Sequence, residues 1–486
     1  MRLFALFWGT ALAFVTQDTP VGVSSHSYQP TAAVHGTSSK TKQPSPLSEQ
    51  GDVCVAITGG AGQIAYALVP LLMHGRVFGE GRKVRLRLLD IEACVGALQG
   101  FAMEIQDCNS DLVTEVVATS DPEVAFKGAD VAVLLGGFPR LPGMERRDLI
   151  AKNVPIMAEH GRALAKCAKD GVKVLVVANP ACTNCLIAAT SAPSIPRSHF
   201  SSLARLDQDR LSAMLAEKLC SEETLEQTSG GARTPLSGDV SLPQQEPERQ
   251  HAVRTRQDRN ILQLDGPGVR GVYVWGNHSP TMWPDVSGAE AKIDGRWVPL
   301  QTALQRHGGI PNETGLLSPG REDGTAPDLD SAWRDWISET LVPAVRERGT
   351  KVIEARGKSS ALSAANAIAN HLKDWLHSST SGKHAGVSMG VFSDGNPYGV
   401  PDDVVFSFPV ECGEGRHRIL HGFRPDMAML DESAKELLEE RDPSRHHPLR
   451  RIIRPELGSD TVNQRHAGVG CADHRRPRQR EFGRDV

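Results

Sequence analysis

The chain is poor in the features that mark several classes of protein. Its formal net charge is only -4, which gives no reason to expect nucleic acid as a partner. Its nine cysteines are scattered without paired spacing, which indicates a reduced protein rather than a disulfide framework. One C-x-x-C sequence, from Cys182 to Cys185, lacks the second pair that a zinc site of this kind needs. We therefore expect a globular protein that binds neither nucleic acid nor a metal.

The apolar run near the N-terminus is too short to cross a bilayer. It extends from Leu3 to Val15 after Arg2, as is typical of a signal-peptide core. Residues 17–50 are rich in Ser, Thr and Pro, and the combination resembles the bipartite leaders that send proteins into complex plastids by the secretory route. We expect residues 1–50 to be a targeting leader and linker, with no stable membrane insertion after leader removal. An uncleaved extension and a cytoplasmic protein are the alternative.

From residue 51 onward, apolar strand-like runs alternate with helical patterns. Strands are predicted over 53–58, 84–89, 113–119, 131–135 and 172–178, with a helix over 148–169 between the last two. This alternation predicts an α/β fold with a Rossmann-type doubly wound parallel sheet. We expect an NAD-binding domain over 51–203, followed by an α+β catalytic domain over 204–441.

A glycine-rich turn follows the first predicted strand. Gly59, Gly62 and Ala65 have the spacing of a dinucleotide fingerprint, which needs a tight turn, close backbone approach to a pyrophosphate, and close helix–strand packing. The pyrophosphate would lie at the helix N-terminus beside Gln63 and Ile64, where free amides and the helix dipole favour an anion. The strand–turn–helix context predicts a dinucleotide site.

Two further polar residues follow predicted strands. Asp90 comes directly after the second strand, where a carboxylate accepts hydrogen bonds from both ribose hydroxyls and repels a 2′-phosphate, so that NAD is favoured over NADP. A turn aspartate is the alternative. Asn179 follows a later strand and can bind substrate or cofactor, although a turn-forming asparagine is nearly as good an explanation.

A Gly/Pro-rich loop over residues 136–148 carries two well-separated arginines, Arg140 and Arg146. It follows a predicted strand, and open α/β sheets bind ligands at the carboxyl ends of their strands. The planar guanidinium suits a carboxylate in a way that lysine cannot imitate. The loop therefore predicts a small anionic substrate under a closing lid, the alternative being solvated arginines.

Acid–base groups come from the second half of the chain. Asp207 and Arg210 are three residues apart in a helical pattern, and so share one helix face; a surface ion pair is the alternative. His278 follows Gly-Asn at the end of a predicted strand, where it is a candidate general base. A lone histidine is more often structural, and only its company favours catalysis.

Several motifs occur in one order along the chain: Gly59–Tyr66, Phe138–Arg140 with Gly143–Arg146, Asn179–Ala181, Arg205–Asp207 with Arg210, and Trp275–Ser279. Their order and wording resemble NAD-dependent malate dehydrogenase, in the branch of the lactate/malate dehydrogenase superfamily that includes the cytosolic enzymes. The resemblance extends, with gaps, over about residues 52–441.

The resemblance implies reversible hydride transfer between malate and NAD, a reaction of the tricarboxylic acid cycle. It implies that His278 takes the proton of the C2 hydroxyl while Asp207 orients the imidazole and stabilises its charged form. Arg210 would bind the C1 carboxylate and Arg146 would polarise the C2 oxygen. Arg140 would bind the second carboxylate and so separate malate from lactate. The family also implies a homodimer, in contact through helices beside the cofactor domain.

The sequence departs from the family pattern close to the expected site. Gln208 and Asp209 replace a His-Asn pair, and Cys182 stands where an asparagine is expected. Asp209 would weaken substrate binding if it pointed inward. None of these changes removes a group with an expected chemical role.

Two polar insertions, about residues 220–268 and 302–330, are typical of disordered surface loops, and residues 442–486 are typical of a disordered basic tail. Two other functions stay open. One is another 2-hydroxy-acid dehydrogenase of the lactate type, which would lack the second-carboxylate arginine. The other is a catalytically silent NAD-binding interaction protein, disabled by its insertions.

Overall fold

The structure is a computed structural model that describes residues 51–139, 143–226, 268–293, 295–306, 329–377 and 386–441. Its first half alternates strands with helices: β1 (Val53–Thr58), α1 (Gln63–Met73), β2 (Val84–Leu89), α2 (Val95–Asp107), β3 (Val113–Thr119), α3 (Pro122–Phe126), β4 (Val131–Leu134), α4 (Arg146–Cys167), β5 (Lys173–Val176), α5 (Ala181–Thr190) and β6 (Phe200–Leu203).

The second half begins with a long helix and ends with another: α6 (Arg205–Glu226), β7 (Val269–Arg270), β8 (Tyr273–Trp275), β9 (Trp283–Asp285), β10 (Glu290–Ile293), β11 (Arg296–Pro299), α7 (Leu300–Arg306), α8 (Leu329–Trp336), α9 (Val342–Arg356), α10 (Leu362–His377), β12 (Val387–Phe392), β13 (Val405–Gly413), β14 (Arg416–Ile419) and α11 (Met427–Arg441).

One large sheet organises the described residues, in the order β14-β13-β12-β6-β5-β4-β1-β2-β3. The neighbours from β6 to β3 are all parallel. This confirms the predicted α/β fold with a doubly wound parallel sheet. The strands of the C-terminal half continue the same sheet in antiparallel pairing, because β12 pairs with β6. β1 lies between β2 and β4, where the order of the parallel strands reverses.

Both faces of the parallel sheet are buried. Val131 and Val133 of β4 join a cluster with α1 and α10, whereas Ala132 and Leu134 join a second cluster with α4 and α5. Successive strand residues point to opposite faces, and a parallel strand covered on both sides is apolar throughout. These continuous apolar runs made the strands recognisable from sequence.

The predicted strands are confirmed, with small shifts at some ends. The run predicted over 172–178 is a strand only over Lys173–Val176, because the amides of Val177 and Ala178 both donate to the carbonyl of Leu134, each at 3.0 Å. The helix predicted over 148–169 is α4, which begins and ends two residues earlier.

The predicted insertions start later than expected. α6 continues through Glu226 and α7 covers residues 300–306, so helix replaces loop at these edges. α6 persists because Leu211, Leu215 and Leu219, spaced four apart, are buried in one apolar cluster. The rest of both insertions, residues 1–50 and residues 442–486 lie outside the described residues. No helix within the described ranges is long and apolar enough to cross a membrane.

Candidate active site

The carboxyl ends of the neighbouring strands β1 and β4 bring two loops together. They are the glycine turn (residues 59–62) and the arginine loop (residues 136–148). Gly59, after β1, has a φ of +65°, and a Cβ there would lie 2.9 Å from the Cα of Gly136, after β4. The amide of Gly136 donates to the hydroxyl of Thr58 at 2.9 Å. Only glycines permit this approach of two backbones, which sets the two loops side by side.

The start of α1 is open to an anion. Gly62 occupies the N-cap without any side-chain cap, and both Gly62 and Gln63 are exposed, with Ile64 partly buried beside them. Free amides at a helix N-terminus bind phosphate groups. Asp90 accepts hydrogen bonds from the amides of Ala61 at 3.0 Å and of Ile91 at 2.9 Å, so its carboxylate lies beside this turn. The residues thus fit a dinucleotide with free ribose hydroxyls.

His278 and Asp207 form the most closely defined contact in the site. Nδ1 of His278 lies 2.5 Å from Oδ2 of Asp207, and Nη1 of Arg210 donates to the other carboxylate oxygen at 3.1 Å. Asp207 is 1% exposed, whereas the His278 side chain is 26% exposed. Because Asp207 engages Nδ1, Nε2 of His278 is left to face a substrate. Arg210 also donates to the hydroxyl of Ser360 at 3.2 Å.

This pairing sets the charge of both groups. The negative charge of Asp207 raises the pKa of His278 above its usual value, although burial and the positive charges of Arg210 and Arg146 oppose it. Burial acts to raise the pKa of Asp207, but His278 and Arg210 together bring it below the usual value. The buried carboxylate therefore stays ionised and favours the imidazolium.

The loop that carries His278 is fixed by α11. Gly276 has a φ of +93°, and a Cβ there would lie 2.3 Å from Oγ of Ser433. The amide of Asn277 donates to that hydroxyl at 2.7 Å, and Oγ1 of Thr281 lies 3.1 Å from it. A glycine is thus required before Asn277, and the close approach orients His278.

Arg146 lies at the start of α4 and pairs with α11. Its Nε donates to Oε1 of Glu440 and lies 3.8 Å from Oε1 of Glu436. Nη2 of Arg146 is buried and has no partner among the described residues. Burial acts to lower the pKa of Arg146, but the two glutamates raise it above its usual value, so the guanidinium is charged and keeps a donor free.

Asn179 follows β5 and is exposed. It precedes a cis peptide bond to Pro180. Nδ2 of Asn153, in α4, lies 3.5 Å from the carbonyl of Asn179 and donates to that of Leu149 at 3.0 Å, while Oδ1 of Asn153 accepts from the amide of Phe138 at 2.8 Å. Asn153 therefore joins the arginine loop to the segment that carries Asn179.

Of the departures from the family pattern, Gln208 and Asp209 are engaged elsewhere, whereas Cys182 lines the same small cavity as Asp207 and His278. Asp209 accepts from Nε of Arg205 at 3.0 Å, so its charge is directed to a neighbouring ion pair. Gln208 donates to the carbonyl of Val272 at 2.9 Å and accepts from the amide of Ser388 at 2.9 Å. Cys182 is buried with its thiol 3.5 Å from Oγ of Ser202, and burial raises its pKa to about 11.

Sequence reasoning identified most of the polar groups that the structure brings together, but not all. Arg140 lies outside the described residues. The prediction missed Asn153, Glu436 and Glu440, because interior or helical polar residues have no motif around them. Their only signal was position: Asn153 lies on the apolar face of α4, and the two glutamates are four residues apart. No cluster of His, Cys, Asp and Glu suited to a metal occurs in the part of the chain that the structure describes.

Comparisons with known proteins identify the same family in both halves of the chain. Residues 53–201 match the lactate/malate dehydrogenase NAD binding domain, and residues 325–447 match the lactate/malate dehydrogenase alpha/beta C-terminal domain. The cytoplasmic malate dehydrogenase of Felis catus is 39% identical over 391 residues, which is 80% of this chain and 96% of that protein. The human cytoplasmic enzyme gives the same identity and coverage.

Solved structures give the same result. Malate dehydrogenase from Naegleria fowleri superposes with a TM-score of 0.62 at 31% identity, covering 83% of this chain and 99% of that one. Trichomonas vaginalis lactate dehydrogenase in complex with NADH and oxamate superposes with a TM-score of 0.60 at 31% identity, covering 80% and 96%. The chain is therefore an oxidoreductase of the lactate/malate dehydrogenase family, and its cofactor is NAD.

Proposed function

We propose that the protein is an L-malate dehydrogenase that interconverts malate and oxaloacetate with NAD, in malate and tricarboxylic acid cycle metabolism. The observation that carries the proposal is the arrangement of Asp207 between His278 at 2.5 Å and Arg210 at 3.1 Å. It unites a proton carrier with a carboxylate-binding group. The cytoplasmic malate dehydrogenases at 39% identity support the same reaction.

In this proposal, bound NADH supplies the hydride. Nε2 of His278 donates the proton to the carbonyl oxygen of oxaloacetate, and takes it back from the C2 hydroxyl of malate. Arg210 binds the C1 carboxylate through its planar fork. Nη2 of Arg146, the buried donor without a partner, stabilises the negative charge that develops on the C2 oxygen. Asn179 would bind substrate or cofactor. The pyrophosphate of the cofactor would lie against the glycine turn and the start of α1, at Gly59, Gly62, Gln63 and Ile64, and its ribose would bind to Asp90.

We assign the choice between malate and lactate to Arg140. A charged hydrogen bond of about 1.5–3 kcal/mol corresponds to roughly a 10- to 150-fold preference for the substrate with the second carboxylate. Arg140→Gln should therefore lower kcat/KM for oxaloacetate by that factor and leave kcat/KM for pyruvate nearly unchanged. Arg147→Gln is the matched control, because Arg147 is 69% exposed and pairs with Glu145 at the surface. Equal losses for both substrates in Arg140→Gln would contradict the assignment.

The second candidate function is that of a lactate-type dehydrogenase, which the similarity to Trichomonas vaginalis lactate dehydrogenase supports. Higher kcat/KM with pyruvate than with oxaloacetate in the unaltered protein would establish it. A catalytically silent NAD-binding protein is the other alternative. It would bind NADH, seen as a fluorescence change, without oxidising it in the presence of either acid.

We also propose that the protein is a homodimer through helices beside the cofactor domain. Tyr66 of α1 is 54% exposed and Met103 of α2 is 61% exposed, and Tyr66 lies 4.9 Å from Phe101 between ring centroids. Large exposed apolar side chains on adjacent helices favour association. Analytical ultracentrifugation should give twice the chain mass, and Tyr66→Glu with Met103→Glu should give the monomer. A monomeric unaltered protein would contradict the proposal.

For the location, we propose organelle import by the secretory route, with a complex plastid as the destination and the cytoplasm as the alternative. The support is the sequence of residues 1–50, an apolar run followed by a segment rich in Ser, Thr and Pro. A fluorescent protein fused after residue 50 should enter the organelle in an alga with complex plastids. Diffuse cytoplasmic fluorescence would contradict this route.

A further inference from the structure

One face of α11 carries polar side chains that contact the rest of the site. Ser433, Glu436 and Glu440 are spaced so that they share this face. Oε2 of Glu436 accepts hydrogen bonds from Asn277 at 3.1 Å, from Ser279 at 2.5 Å and from Thr281 at 2.6 Å. The helix is therefore attached at several points to the loop that carries His278.

Glu440 is the more deeply placed of the two glutamates. It is 6% exposed. Its Oε1 accepts from Nε of Arg146 and, at 3.3 Å, from Nδ2 of Asn277, and its Oε2 accepts from the hydroxyl of Thr183. A buried carboxylate is costly unless it is paired and hydrogen-bonded. These donors satisfy that requirement, so the position of Glu440 fixes the position of the guanidinium that it binds.

The geometry of the pair leaves part of Arg146 available. Glu440 engages the Nε edge, while Nη2 is buried without a partner among the described residues. Donors that stabilise developing charge act best when their orientation is set before the reaction. A flexible arginine side chain needs a fixed partner to be held in that way.

We propose that Glu440, assisted by Glu436, is a positioning residue for hydride transfer, which holds Arg146 by its Nε edge and so directs Nη2 at the reacting oxygen. We name these two residues the carboxylate clasp. The inference rests on the proposed function, because Arg146 has a reacting oxygen to stabilise only if the site reduces a 2-oxo acid. The clasp acts through Arg146, and removing its charge should have little effect once Arg146 is absent.

A double-mutant cycle tests this dependence. Glu440→Gln should lower kcat for oxaloacetate about 10- to 150-fold in the full-length protein, the range of one charge-assisted hydrogen bond. In the Arg146→Gln background the same change should lower kcat less than about threefold, since contacting residues are coupled. The dissociation constant of NADH should be unchanged in all four proteins. Glu432→Gln, an exposed glutamate of the same helix, should leave kcat unchanged.

Each outcome decides the question. If Glu440→Gln lowers kcat by the same factor with and without Arg146→Gln, Glu440 has a structural role and the proposal is overturned. The proposal is also overturned if Glu440→Gln alone leaves kcat unchanged. If Glu440→Gln does not fold, as judged by its thermal unfolding midpoint, Glu440→Asp keeps the charge, shortens the side chain, and is put through the same cycle.

Failure of the proposed function has a different signature. If the unaltered protein reduces neither oxaloacetate nor pyruvate, the cycle is measured by fluorescence on the affinity of the NADH complex for tartronate, a diacid that carries an oxygen on C2. Coupled effects of the two substitutions on that affinity would support the positioning role of the carboxylate clasp, although the proposed reaction had failed. Additive effects on that affinity would overturn the positioning role as well.

Discussion

Replacing Asp207 by Asn removes the charge that favours a protonated His278 and keeps the shape of the side chain. Asp207 is 1% exposed, and its Oδ2 lies 2.5 Å from Nδ1 of His278. Two unit charges about 4 Å apart interact by about 4 kcal/mol at an effective dielectric constant of about 20. Burial and the charges of Arg210 and Arg146 lower the pKa of His278 in both proteins, so loss of the Asp207 charge should bring that pKa below its value in the unaltered protein.

The sign of the effect on activity follows from the proton that each direction needs. Oxaloacetate reduction requires the imidazolium, so its activity should be lost at a lower pH in Asp207→Asn than in the unaltered protein. Malate oxidation requires the neutral imidazole, so its rising limb should also move to lower pH. The amide can hold the ring in the wrong tautomer, and in a Ser-His-Asp triad the equivalent change costs about 10⁴-fold in kcat. A loss of about 10²- to 10⁴-fold is expected here.

The assay is the pH dependence of kcat/KM in both directions, followed by NADH absorbance at saturating cofactor. Asp209→Asn is the matched control, because Asp209 pairs with Arg205 and not with His278; its two profiles should keep their midpoints. Unchanged midpoints in Asp207→Asn would refute the reasoning, even if kcat falls, because they would show that Asp207 does not set the charge of His278.

Two further predictions concern glycine and buried histidine. Gly276→Ala should lower kcat at least about 10-fold and the free energy of unfolding by about 1–3 kcal/mol, since its Cβ would lie 2.3 Å from Oγ of Ser433. The control is Gly295→Ala, where φ is +77° and no atom lies within 4 Å of the added Cβ; it should lower stability alone. A normal kcat in Gly276→Ala would contradict the role of this close contact in orienting His278. Burial lowers the pKa of His371 to about 3, so protonation of the unfolded chain should destabilise the fold as pH falls below about 6.5. Chemical denaturation at pH 7 and 5.5 should show that His371→Gln loses about 1 kcal/mol less than the unaltered protein over this interval, and an equal loss would contradict the assignment.

Periodicity and turn chemistry made the parallel half of the fold predictable. Buried strands such as β1 and β4 are continuous apolar runs, and Gly59 marks a turn that only glycine can form. The site residues were found where they follow such strands, or where they belong to a family motif, as Asp207 and His278 do. The Asp207–His278 contact itself joins residues 71 positions apart, and no local pattern encodes a distance of that kind.

The parts that escaped prediction depend on long-range packing. The antiparallel pairing of β12 with β6 brings Met389 opposite Leu203, which neither strand indicates by itself. Glu440 gains its importance from Arg146, 294 residues earlier in the chain, whereas on sequence it resembles any glutamate of a surface helix. From the sequence, Asp209 was expected to weaken anion binding if it pointed inward, but in the structure its carboxylate accepts a hydrogen bond from Arg205.

The most direct measurement is the steady-state oxidation of NADH by the purified full-length protein with oxaloacetate and with pyruvate as alternative substrates. We expect kcat/KM to favour oxaloacetate by at least about 10- to 150-fold, the worth of one arginine bound to the second carboxylate. Equal values, or a preference for pyruvate, would contradict a malate dehydrogenase in which Arg140 selects the substrate.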